Sequence, residues 1–204
     1  MITIVDYGLG NIKAFYNVFK KLNLPVTIAH DCSALNSASK IVLPGVGAFD
    51  HAMNRLNDSG LREDLDYLVL KKNVPVLGIC VGMQMLAENS EEGSLPGLGW
   101  IKGVVRMFDP GKLNHKTRLP HMGWNTIEPV NGHPLLKEFH IGSRFYFLHS
   151  FYFDNADPDS CIASSEYGIT FTSAVAKNNI HGVQFHPEKS HINGIQLLKN
   201  FADL

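Results

Sequence analysis

The 204-residue sequence lacks the features of a secreted, membrane-spanning or nucleic-acid-binding protein. It contains only three cysteines, which are widely spaced and form no obvious disulfide framework, so a reducing cytoplasm is the expected location. The longest apolar runs are far too short to span a bilayer, and the first strand meets Asp6 too early for a signal-peptide core. The net charge of −1 provides no field that would attract nucleic acid or an anionic membrane.

Recognisable metal-binding patterns are also missing. The ten histidines include no HExxH motif, and there are no paired cysteines of the kind that hold zinc, so we expect no metal and no cofactor. The composition is otherwise ordinary, with 45% hydrophobic and 18% charged residues and no repeats. A chain of this length can bury one complete core, and we expect a single domain over residues 1–204.

The alternation of strand and helix patterns predicts the fold class. Strands are predicted at residues 2–5, 26–29, 40–43, 74–79, 104–108, 124–128, 145–153, 161–165, 170–176 and 180–185. Helices are predicted at residues 11–22, with Asn11 as N-cap, and at 50–56, 61–71, 81–88 and 192–201. Strands alternate with helices at first and follow one another later. We therefore predict an α/β fold, with an open, mostly parallel central sheet flanked by helices and an added antiparallel β portion in the second half.

Residues 74–88 form the most informative segment. Its apolar start is typical of a buried parallel strand, and residues 81–88 predict a helix. Cys80 lies between the two, flanked by Gly78 and Gly82, on a tight turn that would lift its sulfur out of the sheet. The helix N-terminus would favour a thiolate there. A lone cysteine is more often a buried structural residue, but two glycines, a strand and a helix in this order favour a nucleophile.

A base for such a nucleophile is present near the C-terminus. The apolar strand pattern at 180–185 leads directly into His186, Pro187 and Glu188. Proline cannot continue a central strand, so the two polar side chains would project from a rigid strand end, where active sites of open α/β sheets collect. His186 can take the thiol proton and later protonate a leaving amine, while Glu188 orients the imidazole. A lone histidine is more often structural; the nearby acid and the upstream cysteine turn favour catalysis.

A glycine-bracketed loop follows the strand pattern at 40–43. Paired glycines let backbone N–H groups point at a developing oxyanion without interference from a Cβ atom. The amide after the nucleophile is a natural second donor. Alone, this loop could be any turn, and it matters because it ends a strand of the same predicted sheet. The expected oxyanion hole consists of Gly45, Val46, Gly47 and Val81.

Together these motifs carry a family resemblance. The segments 44–47 (PGVG), 78–84 (GICVGMQ) and 186–188 (HPE) resemble the class I, or triad-type, glutamine amidotransferases. Residues 6–11 (DYGLGN) and 120–125 (PHMGWN) narrow the resemblance to the glutaminase subunits that serve imidazole glycerol phosphate synthase. The matching motifs lie at the start, middle and end, so the resemblance covers essentially the whole chain.

The resemblance implies a function. The chain would hydrolyse L-glutamine to glutamate and ammonia through a thioester on Cys80. It would deliver the ammonia to a (β/α)8-barrel cyclase subunit, its partner in a heterodimer, through the interior of that barrel. The partner would make imidazole glycerol phosphate and an aminoimidazole carboxamide ribotide in histidine biosynthesis, so that the pair would combine hydrolase and lyase chemistry. No cofactor is implied.

The resemblance also implies further site residues. The expected substrate contacts are Gly47, Gln84, Ser150 and Phe151. The family usually has tyrosine at the position of Phe151, so only backbone contacts are expected there; Gln84 could equally be an exposed polar residue of its helix. The expected interface residues are Tyr7, Gly8, Asn11, Met122, Trp124 and Lys189, of which Trp124 could equally be ordinary core.

Several alternative functions remain open at this stage. The same glutaminase could serve anthranilate or aminodeoxychorismate synthase, although residues 120–125 argue against it. A paralogous subunit could supply ammonia to a cyclase-like partner that aminates a sugar for surface polysaccharides. A thiol hydrolase acting alone would need no partner and would show no preference for free glutamine. A non-catalytic regulatory subunit is disfavoured, because it would not need to keep Cys80, His186 and Glu188 together.

Overall fold

The computed structural model describes residues 1–113, 118–130 and 132–204. Within these ranges the strands are β1 (Ile2–Val5), β2 (Val26–Ala29), β3 (Lys40–Gly45), β4 (Val76–Cys80), β5 (Asn89–Ser90), β6 (Gly103–Met107), β7 (His121–Pro129), β8 (Ser143–His149), β9 (Phe151–Asn155), β10 (Cys161–Tyr167), β11 (Ile169–Lys177) and β12 (Ile180–Val183). The helices are α1 (Ile12–Lys21), α2 (Cys32–Asn36), α3 (Phe49–Asp58), α4 (Arg62–Asp66), α5 (Val81–Gln84) and α6 (His191–Asp203). In the part of the chain that is described, no helix is both long and apolar enough to cross a membrane.

The main sheet has a parallel and an antiparallel half. Strands β2, β1, β3, β4 and β12 lie side by side and pair in parallel. From β12 the sheet continues antiparallel through β11, β10, β7 and β8. A smaller ribbon of β5, β6 and β9 joins it through a contact between β9 and β11. The predicted α/β fold, with a mostly parallel sheet and an added antiparallel portion, is confirmed.

Helix α1 shows how apolar spacing directs the packing on this sheet. Its buried side chains are Ile12, Phe15 and Phe19, which recur at helical spacing and form one face against the core. Asn11 occupies the predicted N-cap position, but its side chain makes no capping hydrogen bond. The first turn is closed by the Asn11 carbonyl, which accepts from two backbone N–H groups of that turn. The predicted position of the N-cap is therefore confirmed, although the Asn11 side chain does not cap the helix.

Two predicted element boundaries are wrong. The strand predicted at 145–153 is two strands, because the chain breaks at Ser150 between β8 and β9. The helix predicted at 81–88 ends at Gln84. Beyond it, the carbonyls of residues 85, 86 and 87 accept from the N–H groups of residues 98, 101 and 99. A long-range loop thus captures the acceptors that a continuing helix would have used, although the side chains of residues 85–87 stay buried.

The apolar stripe predicted for the last helix is only partly correct. Leu198 and Phe201 are fully buried in the core. Ile192 is 80% exposed and Ile195 is 40% exposed, so the first turn of α6 presents apolar side chains at the surface. Helical spacing alone could not reveal this, because it predicts which residues share a face but not where the rest of the protein stops covering it.

The sheet brings three strand ends together. Gly45 at the end of β3 is opposite Cys80 at the end of β4, and Val183 at the end of β12 is opposite Ile79. His186 therefore leaves the sheet beside the strand that carries the cysteine. The carboxyl ends of parallel strands are the usual location of sites in such sheets.

Three buried histidines make the fold sensitive to acid. Burial lowers the pKa of His121 to about 4, that of His149 to about 3 and that of His181 to about 4. A histidine in the unfolded chain titrates near ~6.5. Between these values the unfolded chain binds protons that the folded chain does not, so the free energy of unfolding falls as the pH decreases. With the opposite contribution of His186 included, urea denaturation at about pH 7.5 and about pH 5.5 should show a net loss on the order of 3 kcal/mol.

Matched variants separate these histidines from other acid effects. His181→Asn should reduce the loss by the share of one buried histidine, about 1.4 kcal/mol, whereas His51→Gln, at an exposed position, should leave it unchanged. His186 offsets part of the loss: its pKa is raised to about 10, so its stabilising contribution is complete only below about 6.5 and grows as the pH falls from 7.5 to 5.5, by about as much as one buried histidine loses. Equal unfolding free energies at the two pH values would contradict the prediction.

Candidate active site

Cys80 lies on a strained turn between β4 and α5. Its backbone has φ 56° and ψ −113°, a region that side-chain-bearing residues rarely adopt. The turn is tight because α5 packs directly on the sheet: a Cβ atom at Gly82 would lie 2.0 Å from the Leu43 carbonyl oxygen, and one at Gly78 would lie 2.6 Å from the Gly82 oxygen. The predicted glycine-flanked strand-to-helix turn is confirmed, and both glycines are required by these close approaches.

His186 and Glu188 form a buried pair beyond the end of β12. Nδ1 of His186 lies 3.0 Å from Oε1 of Glu188, and both side chains are almost fully buried. The backbone is fixed on both sides: the N–H group of His186 donates to the Tyr146 carbonyl at 2.8 Å, and the Ser190 hydroxyl donates to the His186 carbonyl at 2.6 Å. Pro187 starts a short 3-10 turn between the pair. The imidazole is therefore held in one orientation.

The protonation of His186 is governed by two opposing effects. Burial by itself lowers its pKa, but the interactions with Cys80 and Glu188 outweigh burial and raise the pKa to about 10. Among the described residues, Nε2 of His186 completes no hydrogen bond of ordinary geometry. Since Nδ1 is occupied by Glu188, Nε2 is the nitrogen that is positioned to take the thiol proton of Cys80.

A cavity of about 310 Å³ is lined by both Cys80 and His186. Its wall is built from the loop after β3, the cysteine turn, the turn between β8 and β9, and the His186 strand end. The predicted site residues that line it are Val46, Gly47, Cys80, Val81, Gln84, Ser150, Phe151, His186 and Lys189. A cavity of this size suits one small molecule.

Gly45, predicted as part of the oxyanion hole, does not line the cavity. It lies one residue before the wall, at the end of β3, where a Cβ atom would come within 2.3 Å of the Gly82 nitrogen. Its glycine is needed for close packing of β3 on α5. Gly47 is different, because its φ of 84° requires glycine while the space around it is open.

Gln84 is part of the site and not an exposed polar residue of its helix. It is only 3% exposed. Its Nε2 group donates to the Phe151 carbonyl at 3.1 Å and to Oε1 of Gln184 at 3.1 Å. Both N–H groups are thereby used, which leaves Oε1 as the atom that Gln84 offers to a molecule in the cavity.

Glu92 lines the cavity although no sequence pattern pointed to it. Its Oε2 atom accepts a hydrogen bond from the Phe49 N–H group at 2.9 Å, at the start of α3. Asp50, the next residue, holds the same loop by accepting from the N–H groups of Ser94 and Leu95. Glu92 lies in a segment that reads as a surface loop, and only these long-range contacts bring its carboxylate to the site.

The predicted interface residues fall into two groups. Tyr7 is wrong as an exposed anchor: it is buried, and its hydroxyl donates to the Pro44 carbonyl at 2.7 Å. Gly8 and Asn11 are exposed beside it. Met122 is 60% exposed and Trp124 is 40% exposed, which excludes a core position for Trp124.

Trp124 and the cavity are connected by a chain of side-chain contacts. The Trp124 ring lies edge-on to Tyr146 at a centroid distance of 6.2 Å and stacks on His191 at 5.2 Å. The Lys189 ammonium lies 5.6 Å from the centroid of the Tyr146 ring, and Lys189 is also part of the cavity wall. One exposed surface therefore runs from Trp124 to the edge of the cavity.

Comparisons with known proteins agree with this geometry. The family model for class-I glutamine amidotransferases matches residues 3–204. The chain is 58% identical to the imidazole glycerol phosphate synthase subunit HisH of Bdellovibrio bacteriovorus, over 204 residues that cover 100% of both chains. It is 50% identical to the subunit of the same name from Leptospira interrogans, again over 100% of both chains.

Solved structures share the fold. A crystal structure of a glutamine amidotransferase matches with a TM-score of 0.75 at 16% identity and covers 99% of this chain and 97% of that one. A glutamine amidotransferase from Thermotoga maritima matches with a TM-score of 0.64 at 20% identity, with 99% of this chain and 82% of that one covered. At these identities the likeness concerns the fold alone.

Proposed function

Because the chain belongs to the class-I glutamine amidotransferase family, we propose that it acts as the glutaminase subunit of an imidazole glycerol phosphate synthase in histidine biosynthesis. It hydrolyses L-glutamine to glutamate and ammonia. The observation that carries the proposal is the meeting of a strained Cys80 and His186, which the buried Glu188 holds from behind the wall, in one cavity of suitable size. Residues 1–204 form a single amidotransferase domain in this proposal, and the cytoplasm, where free thiols persist, is its location.

The reaction starts with proton transfer from Cys80 to Nε2 of His186. The thiolate attacks the carboxamide carbon of glutamine, and a tetrahedral intermediate forms with negative charge on oxygen. His186 then protonates the departing nitrogen, ammonia leaves and a thioester remains on Cys80. Water, deprotonated by His186, cleaves the thioester and releases glutamate. Glu188 keeps Nδ1 protonated and stabilises the imidazolium throughout.

The oxyanion is stabilised by main-chain N–H groups. Val46 and Gly47 line the cavity on one side of Cys80, and Val81 lines it on the other. The first N–H groups of a helix have no acceptor within the helix, so that of Val81 is available. One such donor is typically worth ~10²–10³ in turnover. Gly45 supports this arrangement indirectly, by allowing β3 to approach α5.

The two ends of glutamine are distinguished by the polarity of the cavity wall. The carbonyl of Ser150 accepts from the Phe108 N–H group, and that of Phe151 accepts from Gln84 and His149. The carbonyls of this turn are thus engaged, and its N–H groups and the Ser150 hydroxyl are left as donors that suit the substrate α-carboxylate; Phe151 has no hydroxyl to add. Oε1 of Gln84 and the Glu92 carboxylate are acceptors and suit the α-ammonium group.

The ammonia is passed to a (β/α)8-barrel cyclase partner, which carries the lyase chemistry, whereas this chain carries only the hydrolysis. Met122 and Trp124 present large apolar side chains, and such residues are enriched at protein interfaces. Lys189 continues this surface to the cavity edge. Gly8 and Asn11 lie on the exposed turn after β1, where Gly10 approaches Pro44 so closely that a Cβ atom would lie 2.6 Å from it. Lys189 thus connects this proposed interface to the cavity where ammonia forms.

Glutamate release should depend on the partner. The purified chain is assayed with L-glutamine alone, with the cyclase subunit, and with the cyclase subunit and its nucleotide substrate. We expect strong activation only in the complex, because contact with the partner would align the backbone N–H groups of residues 45–47 with the developing oxyanion. Fast hydrolysis by the chain alone would indicate a stand-alone thiol hydrolase, and activation only by a sugar-aminating partner would indicate the paralogous function.

Surface variants test the interface in the same assay. Met122→Asp should weaken complex formation, measured by analytical ultracentrifugation, and should reduce activation in parallel. Ile141→Asp is the matched control, since Ile141 is equally apolar and more exposed but is not part of the Met122–Trp124–Lys189 surface. Equal effects of the two substitutions would contradict the proposed interface.

A further inference from the structure

Gln184 has a fully buried side-chain amide close to the catalytic cysteine, and the proposed reaction does not use it. It follows β12 and precedes His186 by two residues. Its side chain has no exposed surface, and its backbone N–H group donates to the Ser173 carbonyl at 2.9 Å. A buried amide is costly unless its polar atoms are paired, so the partners of its side chain indicate its purpose.

The two ends of the Gln184 amide have different partners. Oε1 accepts from Nε2 of Gln84 at 3.1 Å, and Nε2 lies 3.8 Å from the sulfur of Cys80, within the longer range of hydrogen bonds to sulfur. The orientation is fixed by Gln84, because its Nε2 group also donates to the Phe151 carbonyl. If the Gln184 amide were flipped, two NH2 groups would face each other and both hydrogen bonds would be lost.

We infer that Gln184 is a positioning residue that holds the Cys80 thiolate through an Nε2–H···S hydrogen bond. Gln184 is absent from the cavity wall, so it acts on the nucleophile and not on the substrate. A neutral donor at this distance stabilises negative charge on sulfur more than charge on a thiol, since hydrogen bonds to ionised acceptors are the stronger ones. The inference rests on the proposed role of Cys80 as nucleophile.

Gln184 also links the nucleophile to the substrate contact. Gln84 reaches the cavity with Oε1 and reaches Gln184 with Nε2, and Gln184 in turn reaches Cys80. When a substrate molecule donates a hydrogen bond to Oε1 of Gln84, it polarises the Gln84 amide. The Nε2–H groups of Gln84 then become stronger donors toward Gln184, as in other hydrogen-bonded chains. Loss of the middle member should therefore reduce kcat and leave KM nearly unchanged.

The experiment measures alkylation of Cys80 by iodoacetamide across a range of pH, followed by mass spectrometry of the labelled peptide. Gln184→Leu removes the donor at similar volume. The alkylation profile should move to higher pH by about one unit, so that the rate at neutral pH falls about tenfold. In the complex with the cyclase subunit, kcat for glutamine should fall about tenfold, with KM within about twofold of the original value.

Asn200→Leu is the matched control. Asn200 is also a buried amide, but it donates to the carbonyls of Leu135 and Lys137, far from the site along α6. It should lower the melting temperature without moving the alkylation profile. If Gln184→Leu does not fold, Gln184→Met keeps the length of the side chain with an adaptable apolar group and replaces it in the assay.

The outcomes separate this inference from the proposed function. An alkylation profile that is unchanged in a folded Gln184 variant would overturn the inference, whatever the glutaminase activity. A shifted profile would support it even if the original protein proved not to hydrolyse glutamine, because iodoacetamide reports on the sulfur alone. A profile that shifts equally in Asn200→Leu would also overturn it, since the effect would then reflect general loosening.

Discussion

Cys80→Ala should reduce glutamine-dependent synthesis by the complex at least ~10³-fold while ammonia-dependent synthesis remains intact. The physical reason is that, among the described residues of the cavity wall, only Cys80 supplies an attacking atom that can form a thioester, whereas free ammonia bypasses the cavity altogether. Cyclase product is measured with glutamine and, separately, with an ammonium salt at a pH near 8.5. Loss of both activities would mean that Cys80 acts through the interface instead.

The other two cysteines provide the controls for this prediction. The hydrogen bond with Asp64 raises the pKa of Cys32, and burial raises the pKa of Cys161, so both are less reactive than an ordinary thiol at neutral pH. Cys32→Ala and Cys161→Ala should retain the activity. An electrophilic glutamine analogue should label Cys80, and labelling of either control cysteine in its place would overturn the assignment.

His186→Ala should abolish turnover and slow labelling of Cys80 by the same electrophile, with an effect on kcat of about 10² to 10⁴. The loss has two sources. Without the imidazole, no group is in place to accept the thiol proton of Cys80. The buried carboxylate of Glu188 also loses its partner. Glutamate release and the rate of labelling report the two half-reactions separately.

Glu188→Gln is a milder substitution in the same His186–Glu188 pair. It keeps the shape of the side chain and removes the charge that holds the imidazole in one tautomer and keeps it protonated. Its effect should be smaller than that of His186→Ala. A His186→Ala variant with the original rate would exclude His186 from the mechanism, and Glu188→Gln with a larger loss would indicate that the two roles are reversed.

The reactive groups could be predicted because their signals are local. Gly78, Cys80 and Gly82 lie within five residues, and His186 and Glu188 are two residues apart, so short-range sterics already limit what these segments can form. The parallel sheet then places both segments at adjacent strand ends, as the general rule for such sheets predicts.

What the sequence did not reveal depends on contacts between distant residues. Glu92 enters the cavity only because its loop is held at α3, and Gln184 is meaningful only beside Gln84, a hundred positions earlier. Tyr7 is buried with its hydroxyl paired to the carbonyl of Pro44, 37 positions away. The early end of α5 has the same origin, since residues 98–101 take the carbonyls that a longer helix needs. Periodicity and motif spacing contain no information about such pairings.

The backbone conformation of Cys80 lowers the stability of the fold, and the reaction is the reason for keeping it. At φ 56°, glycine would be relaxed, whereas a residue with a Cβ atom gives up about 1–3 kcal/mol of stability. A lineage that no longer needed glutamine-derived ammonia would gain stability by replacing this one residue with glycine, and no neighbour would have to change. The nucleophile is therefore expected to be among the first residues lost when selection for activity ends, and the flanking glycines among the last.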